Sequence, residues 1–173
     1  ENTTHVFLPF HLHELGETSP GRIANAVLPI AIGGAISAFT YGFLRDRFSV
    51  ATLFLVSFLW GGLSLIWIGQ ATDYTMIIAA GISLGLGGGM LAPNANAYAA
   101  ESASVAGTAR AVGFTRGAFF AGSPVAQILL EPVASAGGAG SAITALGFVS
   151  LALAVGTALL MRRNTMNERQ TIA

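Results

Sequence analysis

His11, His13, Glu14 and Glu17 form the only titratable cluster in this sequence. Imidazole changes charge near neutral pH, and imidazole with carboxylate is a zinc-binding set, so such a cluster can move protons or hold a metal ion. The spacing matches no strong metal motif, so no metal is assigned. His11, His13 and Glu14 remain titratable candidates in what reads as a polar loop at a solvent interface. A second chemical candidate is Arg116, a cation inside an otherwise apolar stretch. Such a side chain faces a watery path or snorkels to an interface, and its place near the inner end of the stretch favours snorkelling. Paired carboxylates, a Ser/His pair and a metal set are all missing from the apolar stretches, so no enzyme is expected. Cysteine is absent, which removes thiolate nucleophiles and Cys-ligated metals. Gly85-Leu86-Gly87-Gly88-Gly89 is not a nucleotide loop, because no strand precedes it and no Lys-Ser/Thr follows. No cofactor is implied.

The segments carrying these residues are hydrocarbon-seeking. Charged residues make up 9% of the chain, against roughly 25% in an average soluble domain. Basic and acidic residues balance at eight each, all the basic ones being arginine, so no field draws in nucleic acid. Residues 23–44, 48–70, 74–100 and 132–161 contain no charged side chain. A bilayer needs about 20 apolar residues of helix. The chain therefore reads as an all-α integral membrane protein with spans near 23–44, 48–69, 74–96, 111–130 and 142–161, the last two joined by a Gly/Ala/Ser turn over 134–141. Residues 1–16 read as the outer end of a truncated transmembrane helix, 17–163 as a five-helix bundle and 164–173 as a tail.

Arginine placement orients the bundle. Five alternating spans put Arg45, Arg47, Arg110, Arg116, Arg162, Arg163 and Arg169 on or near one side and only Arg22 on the other. That makes the arginine-rich side, and the carboxyl end, cytoplasmic. The expected location is a cell membrane, crossed several times, such as a bacterial inner membrane.

Lipid tails are as apolar as leucine, so small residues that let backbones approach are what bring such helices together. Gly34, Ala38 and Gly42 recur at four-residue spacing on the first span, Gly81, Gly85 and Gly89 on the third, and Gly113 and Gly117, with Ala118 and Gly122, on the fourth. All five spans are expected to bury a face against protein. Pro29, Pro93 and Pro124 lie within spans, each removing a backbone donor and marking an expected bend.

Gly42-Phe43-Leu44-Arg45-Asp46-Arg47-Phe48-Ser49 lies at the cytoplasmic turn between two spans. It resembles the signature loop of the major facilitator superfamily, Gly-x-Leu-x-Asp-Arg-x-Gly-Arg-Lys/Arg. Gly42, Leu44, Asp46 and Arg47 match, Ser49 replaces the second glycine, and the trailing basic pair is missing. Gly42 should permit tight packing at the turn, and Asp46 should accept from Arg47 or from amides opening the next helix. Gly85–Ala92 followed by Pro93-Asn94-Ala95-Asn96-Ala97 is similar to the family's glycine-rich, proline-bearing helix two spans later. Arg110-Ala111-x-Gly113 and Gly122-Ser123-Pro124 resemble the entry to its next helix. Gly-x-Pro is a loose match to the antiporter motif, and antiport is not implied.

The family is built from two similar six-helix halves. A loop without its basic pair suits the copy between helices eight and nine, so the resemblance implies the second half, from the end of helix seven through helix twelve. Contacts at this loop would hold one conformation and break in the other, making Gly42, Asp46 and Arg47 the switch. Helices seven, eight, ten and eleven would line a central cavity, making Asn25, Ser37, Thr40, Asn94, Asn96, Tyr98, Thr115, Arg116 and Gln127 its candidate lining. Phe7, Phe10, Phe114, Phe119 and Phe120 are candidate apolar wall. The implied function is secondary transport of a small solute, with efflux of an amphipathic compound one form of it. The implied partners are the lipid bilayer, a missing amino-terminal half and a small-molecule substrate. A non-transporting membrane module, or a non-functional remnant of a carrier, is the alternative.

Overall fold

The protein, described here by a computed structural model, is defined for residues 2–104 and 107–172, with side chains characterised for 3–104 and 107–163. Every regular element in this range is helical. In chain order they are α1 (Asn2–Glu14), α2 (Pro20–Asn25), α3 (Leu28–Arg45), α4 (Val50–Gly69), α5 (Tyr74–Gly88), α6 (Leu91–Ser102) and α7 (Thr108–Ile172).

Local chemistry sets the helix ends. Ser49 caps α4 by accepting from the Thr52 amide at 3.2 Å, and Asp73 caps α5 by accepting from the Met76 amide at 2.9 Å. Both side chains satisfy an amide that the first helical turn leaves without a partner. The break between α2 and α3 falls at Ala26-Val27, just ahead of Pro29. The break between α5 and α6 falls at Gly89-Met90, four residues ahead of Pro93. A proline ring clashes with the carbonyl one turn earlier, which is where each chain yields. Pro124 lies inside α7 with no such break.

Four helical runs among the described residues are long and apolar enough to cross a membrane: Pro20–Arg45, Val50–Gly69, Tyr74–Ser102 and Thr108–Arg163. The last differs from expectation. In place of a turn over 134–141 the chain stays helical except at Gly138, whose φ of 81° and ψ of 168° divide α7 into two limbs. Alanine and serine are compatible with helix, and one glycine in a backbone region closed to other residues is enough to redirect the chain.

Glycines set which helices touch. α3 and α5 meet where a methyl on Gly33 would lie 2.5 Å from the Ile82 carbonyl oxygen and one on Gly89 would lie 2.6 Å from the Gly34 Cα. α4 meets the second limb of α7 in the same manner, with Gly62 against Gly147 and Gly69 against Gly140. Serines join α4 to α5: Ser64 and Ser83 share a hydrogen bond of 2.8 Å, and Trp60 donates to Ser83 at 3.0 Å. The buried core runs through Leu8, Leu12, Ile30, Ile68, Ile77 and Ile143.

The expectation that every span buries its glycine face fails for the first limb of α7. Nothing lies within 4 Å of a methyl built on Gly113, Gly117 or Gly122, and the same holds for Gly42. Four-residue spacing places small residues on one face but does not supply the partner.

Candidate functional site

The first limb of α7 stands apart from α6, and the space between them is a cavity of about 340 Å³. Thr3 of α1, Gly88 at the end of α5, and Leu91, Ala92 and Asn96 of α6 form one wall; Arg116, Phe119, Phe120 and Ser123 form the other. The last four recur at i, i+3, i+4 and i+7, which is one face of a helix. The α5–α6 break opens the first wall, since Gly88 and the turn at Gly89-Met90 put no bulk there. Asn96 keeps a buried side-chain oxygen without a hydrogen-bond partner.

A first clasp closes the end of the bundle where the arginines lie. Arg45, the last residue of α3, makes two 3.0 Å hydrogen bonds to the Glu101 carboxylate near the end of α6. About two turns back along α6 from Glu101, Asn94 is fully buried. Its oxygen accepts from the Tyr41 hydroxyl at 3.3 Å, and its amide donates to the Val50 carbonyl at 3.0 Å. One side chain thus ties α6 to α3 and to the start of α4.

A second clasp lies at the other end of the bundle. His11 is buried, and its Nε2–H donates to the Ile68 carbonyl at 3.1 Å. Its Nδ1 lies 3.8 Å from Glu14. Both Glu14 carboxylate oxygens accept from the Ala139 amide, at 3.0 and 3.1 Å, at the first residue after the Gly138 kink. Nearby, Arg22 pairs with Glu17 at 2.9 Å and stacks 4.3 Å above the Tyr74 ring, while the Tyr74 hydroxyl donates to the Arg22 carbonyl.

A family model described as Major Facilitator Superfamily matches residues 2–172. The chain belongs to the major facilitator superfamily. No curated protein and no solved structure matches it. Membership makes it a membrane protein of a transporter family, in keeping with its long apolar helices.

Seen as a superfamily chain, its sequence candidates divide. Asn96, Arg116 and two of the five phenylalanines, Phe119 and Phe120, share the cavity. Asn94 does not: it belongs to the first clasp, consumed by hydrogen bonds within the protein. Tyr98 points away, its ring edge-on to Phe54 at 6.5 Å. Thr115 donates back to the Ala111 carbonyl of its own helix, and Gln127 donates to Ser123. Asn25 and Thr40 are exposed and Ser37 is buried on α3, all three away from the cavity wall. Phe7 and Phe10 line a smaller cleft beside Glu14, and Phe114 faces outward.

The superfamily loop also behaves differently from expectation. Neither the Asp46 nor the Arg47 side chain contacts a described partner; Ser49 caps the next helix, and Arg45 makes the ionic contact. Sequence reasoning passed over Arg45 and Glu101. Their signal was present: opposite charges end two neighbouring spans on the same side. His11, expected at a solvent interface, is buried.

Replacing Asn94 with leucine should lower stability by about 1–2 kcal/mol, because the Tyr41 hydroxyl and Val50 carbonyl lose their partner away from water. Tyr41→Phe should cost less, since one hydrogen bond of Asn94 survives. Thermal melts of the two variants and their double mutant, read as a cycle, check both statements.

Proposed function

We propose that this chain is the second half of a secondary transporter that moves a small solute through the cavity between α6 and the first limb of α7. On this reading α1 is the outer end of helix seven. The two limbs of α7 count as separate spans, giving five, and the chain's end faces the cytoplasm in a cell membrane. The carrying observation is a cavity walled by three helical segments and bordered by a limb whose Gly113 and Gly117 have nothing within 4 Å of a built methyl among the described residues. A glycine face permits close approach of another helix. The first half of the carrier is the occupant proposed for that side, and it would close the cavity.

The loop between α3 and α4 tests the reading. Asp46 has no hydrogen-bond or ion-pair partner among the described residues, which fits a role in a contact made with the other half in one conformation only. With the upstream half present, Asp46→Asn should slow solute flux into proteoliposomes by roughly tenfold, the consequence of losing about 1.4 kcal/mol from one conformational state. Its melting temperature should barely move. Unchanged flux counts against the switch. Correct insertion with no flux of any solute by the unmodified protein favours a non-transporting module.

A further inference from the structure

We propose that the cavity carries a subsite for a small organic monocarboxylate with an apolar body, and that Arg116 is the residue that binds the carboxylate. This deepens the transport reading and rests on it for the cavity's use. An arginine inside an apolar limb needs an anion, a watery path or an interface. Among the described residues every carboxylate is engaged elsewhere or lies at an end. Glu14 holds the Ala139 amide, Glu17 pairs with Arg22, Glu101 pairs with Arg45, and Asp73 caps α5. Asp46 lies in the inner turn, and Glu131 sits about 22 Å farther along the same limb at the helical rise. The Arg116 side chain instead lines the cavity.

Snorkelling, the expectation from sequence, would send the guanidinium towards the inner surface. Arg116 shares its cavity with Ser123, two turns outward on the same limb, and with Thr3 at the start of α1. Arg116, Phe119 and Phe120 are all exposed, so the space is open on its α7 side, and a cation on that wall meets whatever enters it. Guanidinium presents a planar fork matched to a carboxylate.

The surroundings narrow the ligand. Phe119 and Phe120 follow Arg116 on one helix face and offer apolar surface to the body of the ligand. Asn96 lies across the cavity; its side-chain oxygen is buried without a hydrogen-bond partner among the described residues, so its amide nitrogen is the group placed to meet a ligand's hydroxyl. A volume of about 340 Å³ is at the low end for small-molecule sites. One positive charge in such a space favours a single carboxylate over a polyanion.

The test uses the natural gene product purified in detergent, with 4-hydroxybenzoate as probe and 4-hydroxybenzamide as its uncharged analogue. Titration calorimetry should show the acid binding at least about tenfold more tightly than the amide. Arg116→Gln should abolish that preference, and Arg116→Lys, which keeps charge without the fork, should retain part of it. Equal affinity of the unmodified protein for acid and amide, or binding of neither, overturns the proposal without need of a variant. So does an unchanged preference in a folded R116Q protein. Flux of labelled 4-hydroxybenzoate into proteoliposomes reads the carrier separately. Binding without flux sinks the transport reading and leaves the subsite standing.

Discussion

Gly85→Leu should prevent α3 and α5 from pairing while leaving each able to enter a membrane. A methyl on Gly85 would already lie 2.7 Å from the Gly34 amide nitrogen and 2.9 Å from the Gly33 Cα. These are backbone atoms, so no rotamer change relieves the overlap, and the two helices must separate along their contact. Overpacked cores lose about 1–3 kcal/mol even when side chains can shift; a backbone collision belongs at or above the top of that range. Leucine makes the span more apolar, so insertion should survive. The sequence contains no cysteine, so an engineered pair at positions 30 and 81, where a methyl on Gly81 would lie 3.3 Å from the Ile30 side chain, reports the approach without background. I30C/G81C should cross-link readily, and the same pair carrying Gly85→Leu should not. Efficient cross-linking in the triple variant would show that this glycine seam does not hold the pair.

That seam marks how far the sequence could be read. Apolar runs announce themselves because the solvent requirement sums over about 20 residues and tolerates local error. Ser49 and Asp73 close α4 and α5 at their starts because a short oxygen-bearing side chain before an apolar run offers a ready acceptor. Periodicity gives the face of a helix and never its neighbour. Gly34, Gly85 and Gly89 lie in a seam. Gly42, Gly113, Gly117 and Gly122 have the same spacing and open space in front of them.

The site was legible by residue type more than by role. Arg116 and Asn96 stand out in sequence because polar groups in hydrocarbon are costly, and both line the cavity. Asn94, two residues from Asn96, looks identical to that argument. A shift of two positions turns a helical side chain by about 200° at 3.6 residues per turn, and Asn94 turns inward to Tyr41 and Val50 instead. His11 was recognisable as titratable, but its burial depends on α4 and α7 packing over it, which no local window contains. The fourth-to-fifth span turn was misjudged for a related reason. Gly, Ala and Ser resemble a loop by composition, yet only Gly138 leaves the helix.

Glu14 turns that single departure into a joint, and its loss should be felt well beyond its own helix. Two carboxylate oxygens face one amide, that of Ala139, at the start of the second limb of α7. The amide group there has no helical acceptor, and the limb's dipole presents its positive end, so an anion is the best partner available. A hydrogen bond to a charged acceptor contributes about 1.5–3 kcal/mol. The Glu14 side chain is 47% exposed, which screens its charge, so Glu14→Ala should lower stability by about 1 kcal/mol and loosen α1 against α7, whereas Glu14→Gln, which keeps an acceptor and loses the charge, should cost less. Gly138→Ala attacks the same joint from the other side. Its φ of 81° admits glycine, and a methyl would lie 3.0 Å from a Glu14 oxygen, so backbone strain of about 1–3 kcal/mol adds to displacement of the carboxylate. Because both changes break one contact, the double variant G138A/E14A should cost less than the sum of the two. Thermal melts give the stabilities, and limited proteolysis between α1 and α2, at residues 15–19, reports release of α1. Strict additivity would mean that Glu14 and Gly138 stabilise the protein independently, and that the carboxylate is not what holds α1 against the bend in α7.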